Sequence, residues 1–362
     1  MQPVFESHIH YTFDIPLAEM IDIFRQEFAN TGTEKYCFTS LPHQAENGVV
    51  TYDEMQNLKG LYLKHVFSPN AHAFAGLVHP QQHPTSPAEQ EALADNFLAQ
   101  VKEYVKAGFD GIKMLEGYPS LVKAWNLPID SPVYDKFYAF MADNGYPLLM
   151  HIANPQENWD IRTASADAIQ AGRCYDSTYP TKSELTEQVF RVLDKHPRLT
   201  LTLAHFGFMS YDIREAERFM SYPNTRFDIT PGGEQLLRMR KSWAEWLPFW
   251  EKHQTRIVYG SDFYAFPKDE NWETSYQRRP KFLRQFLETN EEHNYLGEPF
   301  VGVKLPQSML EWIYRKNFLR LMDIAAPIDL DYIARNVKAL LAAENKRSPY
   351  AQADLQYILS HL

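Results

Sequence analysis

Short apolar runs alternate with segments of helical periodicity through residues 4–263, and this alternation limits the possible folds more than any other feature of the chain. Val4–Tyr11 reads as a first strand. Leu17, Met20, Ile21, Phe24 and Phe28 then follow at helical spacing, the pattern of an amphipathic helix. Further strands are predicted over 35–42, 73–80, 111–117, 146–153, 199–207, 225–230 and 256–263. The segments between them read as helices. One begins near Ser86-Pro87, where proline suits the first helical position, and one over 131–145 is closed by Gly145. Others are predicted over Glu184–His196, "IREAERFMSYP" and "WAEWLPFWEKH".

Strands that alternate with helices predict a parallel sheet, and eight such units is the number that closes a (β/α)8 TIM barrel. An open doubly wound sheet usually has fewer strands and a glycine-rich phosphate turn, and no G-x-G-x-x-G or G-x-x-x-x-G-K-[ST] is present. A polar and aromatic stretch over 264–305 follows the eighth strand, then a helix over 308–322 and two C-terminal helices. The expectation is one α/β domain over 1–362, with a barrel core of about 4–322 and a helical C-terminal extension of about 323–362.

Composition excludes several function classes. No segment approaches the roughly 18 uninterrupted apolar residues of a membrane span, and a strand beginning at Val4 leaves no room for a cleavable leader. Two cysteines, Cys37 and Cys174, do not make a disulfide framework, so a reducing cytoplasm is the expected location. The net charge is −10 without any dense Lys/Arg block, which argues against nucleic-acid and membrane partners. A homodimer is the expected assembly, because the C-terminal extension offers aromatic surface.

The polar residues that interrupt the strands are placed informatively. His8 and His10 lie on strand one, Lys113 on strand four, His151 near the end of strand five, His205 near the end of strand six and Asp262 at the end of strand eight. In a barrel the C-terminal strand ends meet at one face, where active sites are built. Residues i and i+2 on a strand share a face, so His8 and His10 can both aim into the mouth. Imidazole and carboxylate are ordinary ligands for divalent metals. Each residue alone has a plainer reading: a hydrogen-bonded core histidine, a turn-capping aspartate, or a lysine paired with Glu116. Taken together they read as a metal site. The remaining histidines fall mostly in loops or at helix ends, apart from His79 at the end of strand three.

These residues resemble the amidohydrolase superfamily, most closely the amidohydrolase 2 family of TIM-barrel metal-dependent hydrolases. The resemblance rests on "ESHIH", "GIKML", "LLMHIA", "LTLAHFG" and "YGSDF", with "YRKNFLRLM" and its Asn317 similar to the family's closing helix, and it spans residues 4–322. It implies one divalent metal, zinc or else manganese, held by His8, His10, His151 and Asp262, with His205 beside it. It also implies an alternative binuclear arrangement in which Lys113 is a bridging carboxylated lysine. The family commonly carries Asp two residues before the first His. This chain has Glu6 there, a partner behind the ligands or an additional carboxylate near the metal.

The expected activity is hydrolysis of an amide, lactone or ester of a small-molecule substrate. A metal-activated water would attack, Asp262 would act as general base, and His205 would polarise the carbonyl or protonate the leaving group. The alternatives are metal-dependent decarboxylation of an aromatic or unsaturated carboxylic acid on the same scaffold, and a non-catalytic binding protein. Tyr118, Trp159, Arg162 and Tyr179, on long loops after strands four and five, are candidate substrate contacts, and "PGGEQ" follows strand seven. Arg278-Arg279 reads as a solvated basic pair.

Overall fold

The apolar runs form one parallel sheet whose order follows the chain. The computed structural model describes residues 2–11, 15–46, 49–231, 235–265, 278–343 and 350–362. The sheet contains β1 (Val4–Tyr11), β2 (Thr33–Thr39), β3 (Ala71–Gly76), β4 (Gly111–Gly117), β5 (Leu148–Ile152), β6 (Leu201–Leu203), β7 (Thr225–Asp228), β8 (Ile257–Val258) and β9 (Phe263–Ala265). Neighbours run in the order β8-β7-β6-β5-β4-β3-β2-β1-β9, and every pairing is parallel. The single strand expected over 256–263 is therefore two short strands. The first pairs with β7, the second with β1, and only four residues separate them, so the sheet returns on itself. Ser7 N–H donates to the Tyr259 carbonyl at 3.2 Å within that crossing. Gly260 lets the crossing lie against β1, since a Cβ there would sit 3.1 Å from the His8 Cβ. This is the α/β barrel-type architecture expected from the alternation.

Helices cover the sheet as the periodicity predicts. All five apolar residues read at helical spacing are buried in Leu17–Thr31. Pro87–Ala107 opens with a capping box in which Ser86 Oγ accepts from Glu89 N–H, and Asp135–Asn144 ends at Gly145 with φ 68°. The sixth strand is shorter than expected. It stops at Leu203 because His205, Phe206, Gly207 and Phe208 all adopt positive φ, which ends the ladder and starts a tight turn. Two hairpins escaped the sequence reading, His43–Glu46 with Val49–Tyr52 and Glu292–Tyr295 with Glu298–Val301. Residues 232–234 of "PGGEQ" and 266–277 of the segment after strand eight lie outside the described residues.

The C-terminal helices Leu330–Ala342 and Ala351–Ser360 pack onto the N-terminal part of the barrel. Asp354 is the main anchor. It accepts from Leu17 N–H at 2.8 Å and lies 2.7 Å from Lys59 Nζ, whose side chain is fully buried. Asp110, just before β4, holds the segment that leads there: it accepts from Ala326 N–H and Ala73 N–H and pairs with Lys64.

Candidate metal centre

β1 aims His8 and His10 the same way, and both are buried at the barrel mouth. His8 Nδ1 lies 2.8 Å from Asp228 Oδ2, and His10 Nδ1 lies 2.8 Å from the Thr39 carbonyl oxygen. A carbonyl only accepts, so the His10 proton is on Nδ1; the carboxylate beside His8 fixes the same tautomer there. Both Nε2 atoms therefore present lone pairs, and they face one another at 2.9 Å. Asp262 Oδ1 lies 3.7 Å from His8 Nε2 and 3.4 Å from His10 Nε2. Burial pushes both imidazoles well below their ordinary pKa, with the cationic neighbourhood of Lys113 adding to it, so protonation does not relieve the crowding of electron pairs. Three converging donors on neutral imidazole and carboxylate are what a divalent cation requires.

Asp262 sits in the crossing between β8 and β9 with φ 54°. Its Oδ2 pairs with Arg279 Nη1, which also donates to the Asp262 carbonyl at 2.8 Å. Arg279 is thus part of the site rather than half of a solvated pair. Burial pushes the Asp262 carboxyl up to about 6, against the opposing pull of Arg279 and Lys113. Lys113 Nζ lies 3.3 Å from His8 Nε2, and burial lowers its pKa to about 8. Glu6 does not reach the three donors. Its Oε1 accepts from His8 N–H at 3.1 Å and Ser261 N–H at 2.8 Å, tying β1 to the residue before Asp262. Burial pushes the Glu6 carboxyl up to about 8.

His205 stands beside the cluster, with its ring centroid 5.8 Å from that of His8 and 4.9 Å from that of His151. Its left-handed backbone is held by Asp228 Oδ1 and Thr230 Oγ1, which accept from its N–H at 2.8 and 2.9 Å. Thr230 Oγ1 donates to Asp228 and so receives the His205 Nδ1 proton, leaving a lone pair on His205 Nε2. His151 faces the same cavity, but its Nε2 lies 2.9 Å from the Ala153 carbonyl oxygen and is not among the converging donors.

A family model described as amidohydrolase matches residues 8–324. The chain belongs to the amidohydrolase 2 family. It is an enzyme of the hydrolase or lyase kind, from a family that depends on metal. No curated protein sequence matches it. Among solved structures it is similar to an amidohydrolase II at 13% identity and a TM-score of 0.54, over 88% of this chain and 99% of the other. It is also similar to a 2,6-dihydroxybenzoate decarboxylase in complex with 2,6-dihydroxybenzoate, at 16% identity and a TM-score of 0.51, over 89% of this chain and 99% of the other. Identities this low speak for the fold.

The cavity of this amidohydrolase has a volume of about 1750 Å³ and opens above the donors, with His10, Lys113, His151, His205, Asp262 and Arg279 in its lining. Of the four loop residues read as substrate contacts, the structure brings only Tyr118 to the lining. Trp159 donates to the Pro180 carbonyl, Arg162 is exposed and pairs with Asp160, and Tyr179 lies under Lys123. Asp228 is the main residue the sequence reading missed. Its only sequence signal is a carboxylate at the end of strand seven, in "FDIT".

Among the described residues, no helix is long and apolar enough to cross a membrane.

Proposed function

We propose that this amidohydrolase is a metal-dependent hydrolase that cleaves an amide, lactone or ester of a small molecule. The observation that carries the reading is the convergence of His8 Nε2, His10 Nε2 and Asp262 Oδ1, with their protons turned away. These three residues would hold one divalent cation, zinc or else manganese, with His151 as the fourth ligand once it leaves the Ala153 carbonyl. When bound, the cation supplies Lewis acidity and lowers the pKa of water toward ~7. Asp262 would take the proton of the attacking water on its carboxylate. Arg279 fixes Oδ2 of that carboxylate and so aims Oδ1. The lone pair on His205 Nε2 would receive the proton that Asp262 takes from the water and pass it to the leaving group, a role it favours over polarising the carbonyl through a standing N–H. In the binuclear form of the same reading, a carboxylated Lys113 would help to hold a second cation.

A second reading, decarboxylation of an aromatic or unsaturated acid, draws on the cationic Lys113 and Arg279 in the cavity lining, which suit a substrate carboxylate. The test is metal-loaded enzyme assayed against lactone, ester and amide panels, with carbon dioxide release followed in parallel on aryl carboxylic acids. Hydrolysis that Asp262→Asn abolishes while the circular dichroism spectrum is retained supports the first reading. Near-normal hydrolysis in that variant overturns it, and carbon dioxide release without hydrolysis selects the second. The reading keeps a cytoplasmic homodimer as the working form. A light-scattering mass near the 42.2 kDa of one chain would overturn the dimer.

A further inference from the structure

We infer that His43, His79 and Glu116 form a second divalent-cation site, buried behind the cavity wall and separate from the His8–His10–Asp262 centre. The three side chains come from different elements. His43 opens the hairpin after β2, His79 lies in the turn after β3, and Glu116 is on β4. Glu116 is three residues from Lys113, and a register shift between Met114 and Gly117 interrupts β4, so the two side chains serve different clusters.

All three are nearly inaccessible, at 2%, 3% and 1% exposure. Glu116 Oε1 lies 3.1 Å from His79 Nε2 and 3.7 Å from His43 Nε2, and the three donor atoms all lie within 4.8 Å of one another. Ligands on a tetrahedral cation with bonds of about 2.0–2.1 Å stand roughly 3.3 Å apart, and the two measured edges bracket that value.

A hydrogen bond from His79 to Glu116 does not account for the cluster. Both ring nitrogens of His43, Nδ1 of His79 and Oε2 of Glu116 have no hydrogen-bond partner among the described residues. Buried polar groups left in that state are destabilising, and a natural core holds few of them. A cation held by His43 Nε2, His79 Nε2 and Glu116 Oε1 gives the unpartnered His43 Nε2 a partner and balances the carboxylate. Two imidazoles and one carboxylate match the donor preference of zinc. Trp125 closes one side, its ring stacked on His79 at 4.0 Å. His83 stacks on the same indole at 5.0 Å, and both its ring nitrogens are unpartnered among the described residues.

The position assigns a role. The cluster ties the hairpin after β2 to β4, and that hairpin contributes Gln44 and Ala45 to the cavity lining. A cation here would fix the wall of the catalytic cavity without touching substrate.

The experiment is zinc titration of metal-free full-length protein, read by calorimetry and by thermal midpoint. It is made on the parent and on a His10→Asn, Asp262→Asn variant that disables the catalytic centre. The expected result is two zinc equivalents in the parent and one in the variant, with a zinc-dependent rise of the midpoint in both. Adding Glu116→Gln to the variant removes the remaining equivalent and the rise. His43→Gln does the same and serves if the Glu116 variant does not fold. No zinc bound by the disabled variant, or one equivalent that survives both Glu116→Gln and His43→Gln, overturns the proposal. A parent that binds one zinc lost only with His10 and Asp262 also overturns it, while leaving the proposed function standing.

Discussion

His8 Nδ1 and Asp228 Oδ2 are 2.8 Å apart, and both side chains are fully buried. The contact joins strands on opposite parts of the sheet and sets which nitrogen of His8 faces the centre. Asp228 also receives His205 N–H and the Thr230 hydroxyl. One carboxylate therefore orients a candidate ligand, the proposed proton carrier and the turn that presents it.

Asp228→Ala is expected to lower metal affinity and turnover about 10–100-fold, the usual effect of removing a carboxylate behind a ligating histidine. Calorimetric zinc titration beside steady-state assays checks it. Unchanged affinity would show that His8 is oriented by something else.

Glu6 acts on the backbone, so shape should matter more than charge. Glu6→Gln keeps an oxygen for the N–H groups of His8 and Ser261 and is expected to fold and bind metal nearly as the parent does. Glu6→Ala leaves two buried donors without an acceptor and is expected to cost about 1–3 kcal/mol for each. Urea denaturation of both variants measures the difference.

Acid sensitivity should be traceable in part to Asp110. Burial opposes its ionisation, but the neighbouring His72 ring and Lys64 ammonium outweigh burial and hold its pKa below the ordinary 3.8. A carboxyl depressed in the folded state contributes stability that is present above the unfolded pKa and lost as pH falls through the folded one. The urea midpoint should therefore drop as the pH falls below about 4, and Asp110→Asn should flatten that part of the profile. The same variant breaks a buried pair and is expected to cost about 3–5 kcal/mol at neutral pH.

The C-terminal helices are expected to be part of one cooperative unit with the barrel. Asp354→Ala leaves Lys59 charged and fully buried, with an expected loss of about 3–5 kcal/mol. A single thermal transition that moves as a whole in this variant supports one unit. A separate early transition would mark the C-terminal helices as independent.

Much of the fold was legible because its signals are local. Apolar runs, helical spacing, the Ser86-Pro87 start and the Gly145 stop depend on neighbours within a few residues, and the structure follows them to within a few positions. The split of the eighth strand was not legible. Which strand each half joins depends on closure of the whole sheet, and the sequence over 256–263 looks continuous. The shortened sixth strand has a similar cause, since the left-handed turn at His205 is held by Asp228 and Thr230 from the next strand.

By itself, the sequence determined the alternation that makes a barrel and, through the two-residue period of a strand, a shared direction for His8 and His10. The tertiary structure alone decided the rest. It chose Asp228 from among many carboxylates, drew Arg279 onto Asp262, turned His151 to its own backbone, and left His79 with Glu116 behind the wall. The physical reason is range. Backbone geometry is set by adjacent residues, whereas the donor that meets an acceptor across a barrel is set by the packing of strands distant in sequence.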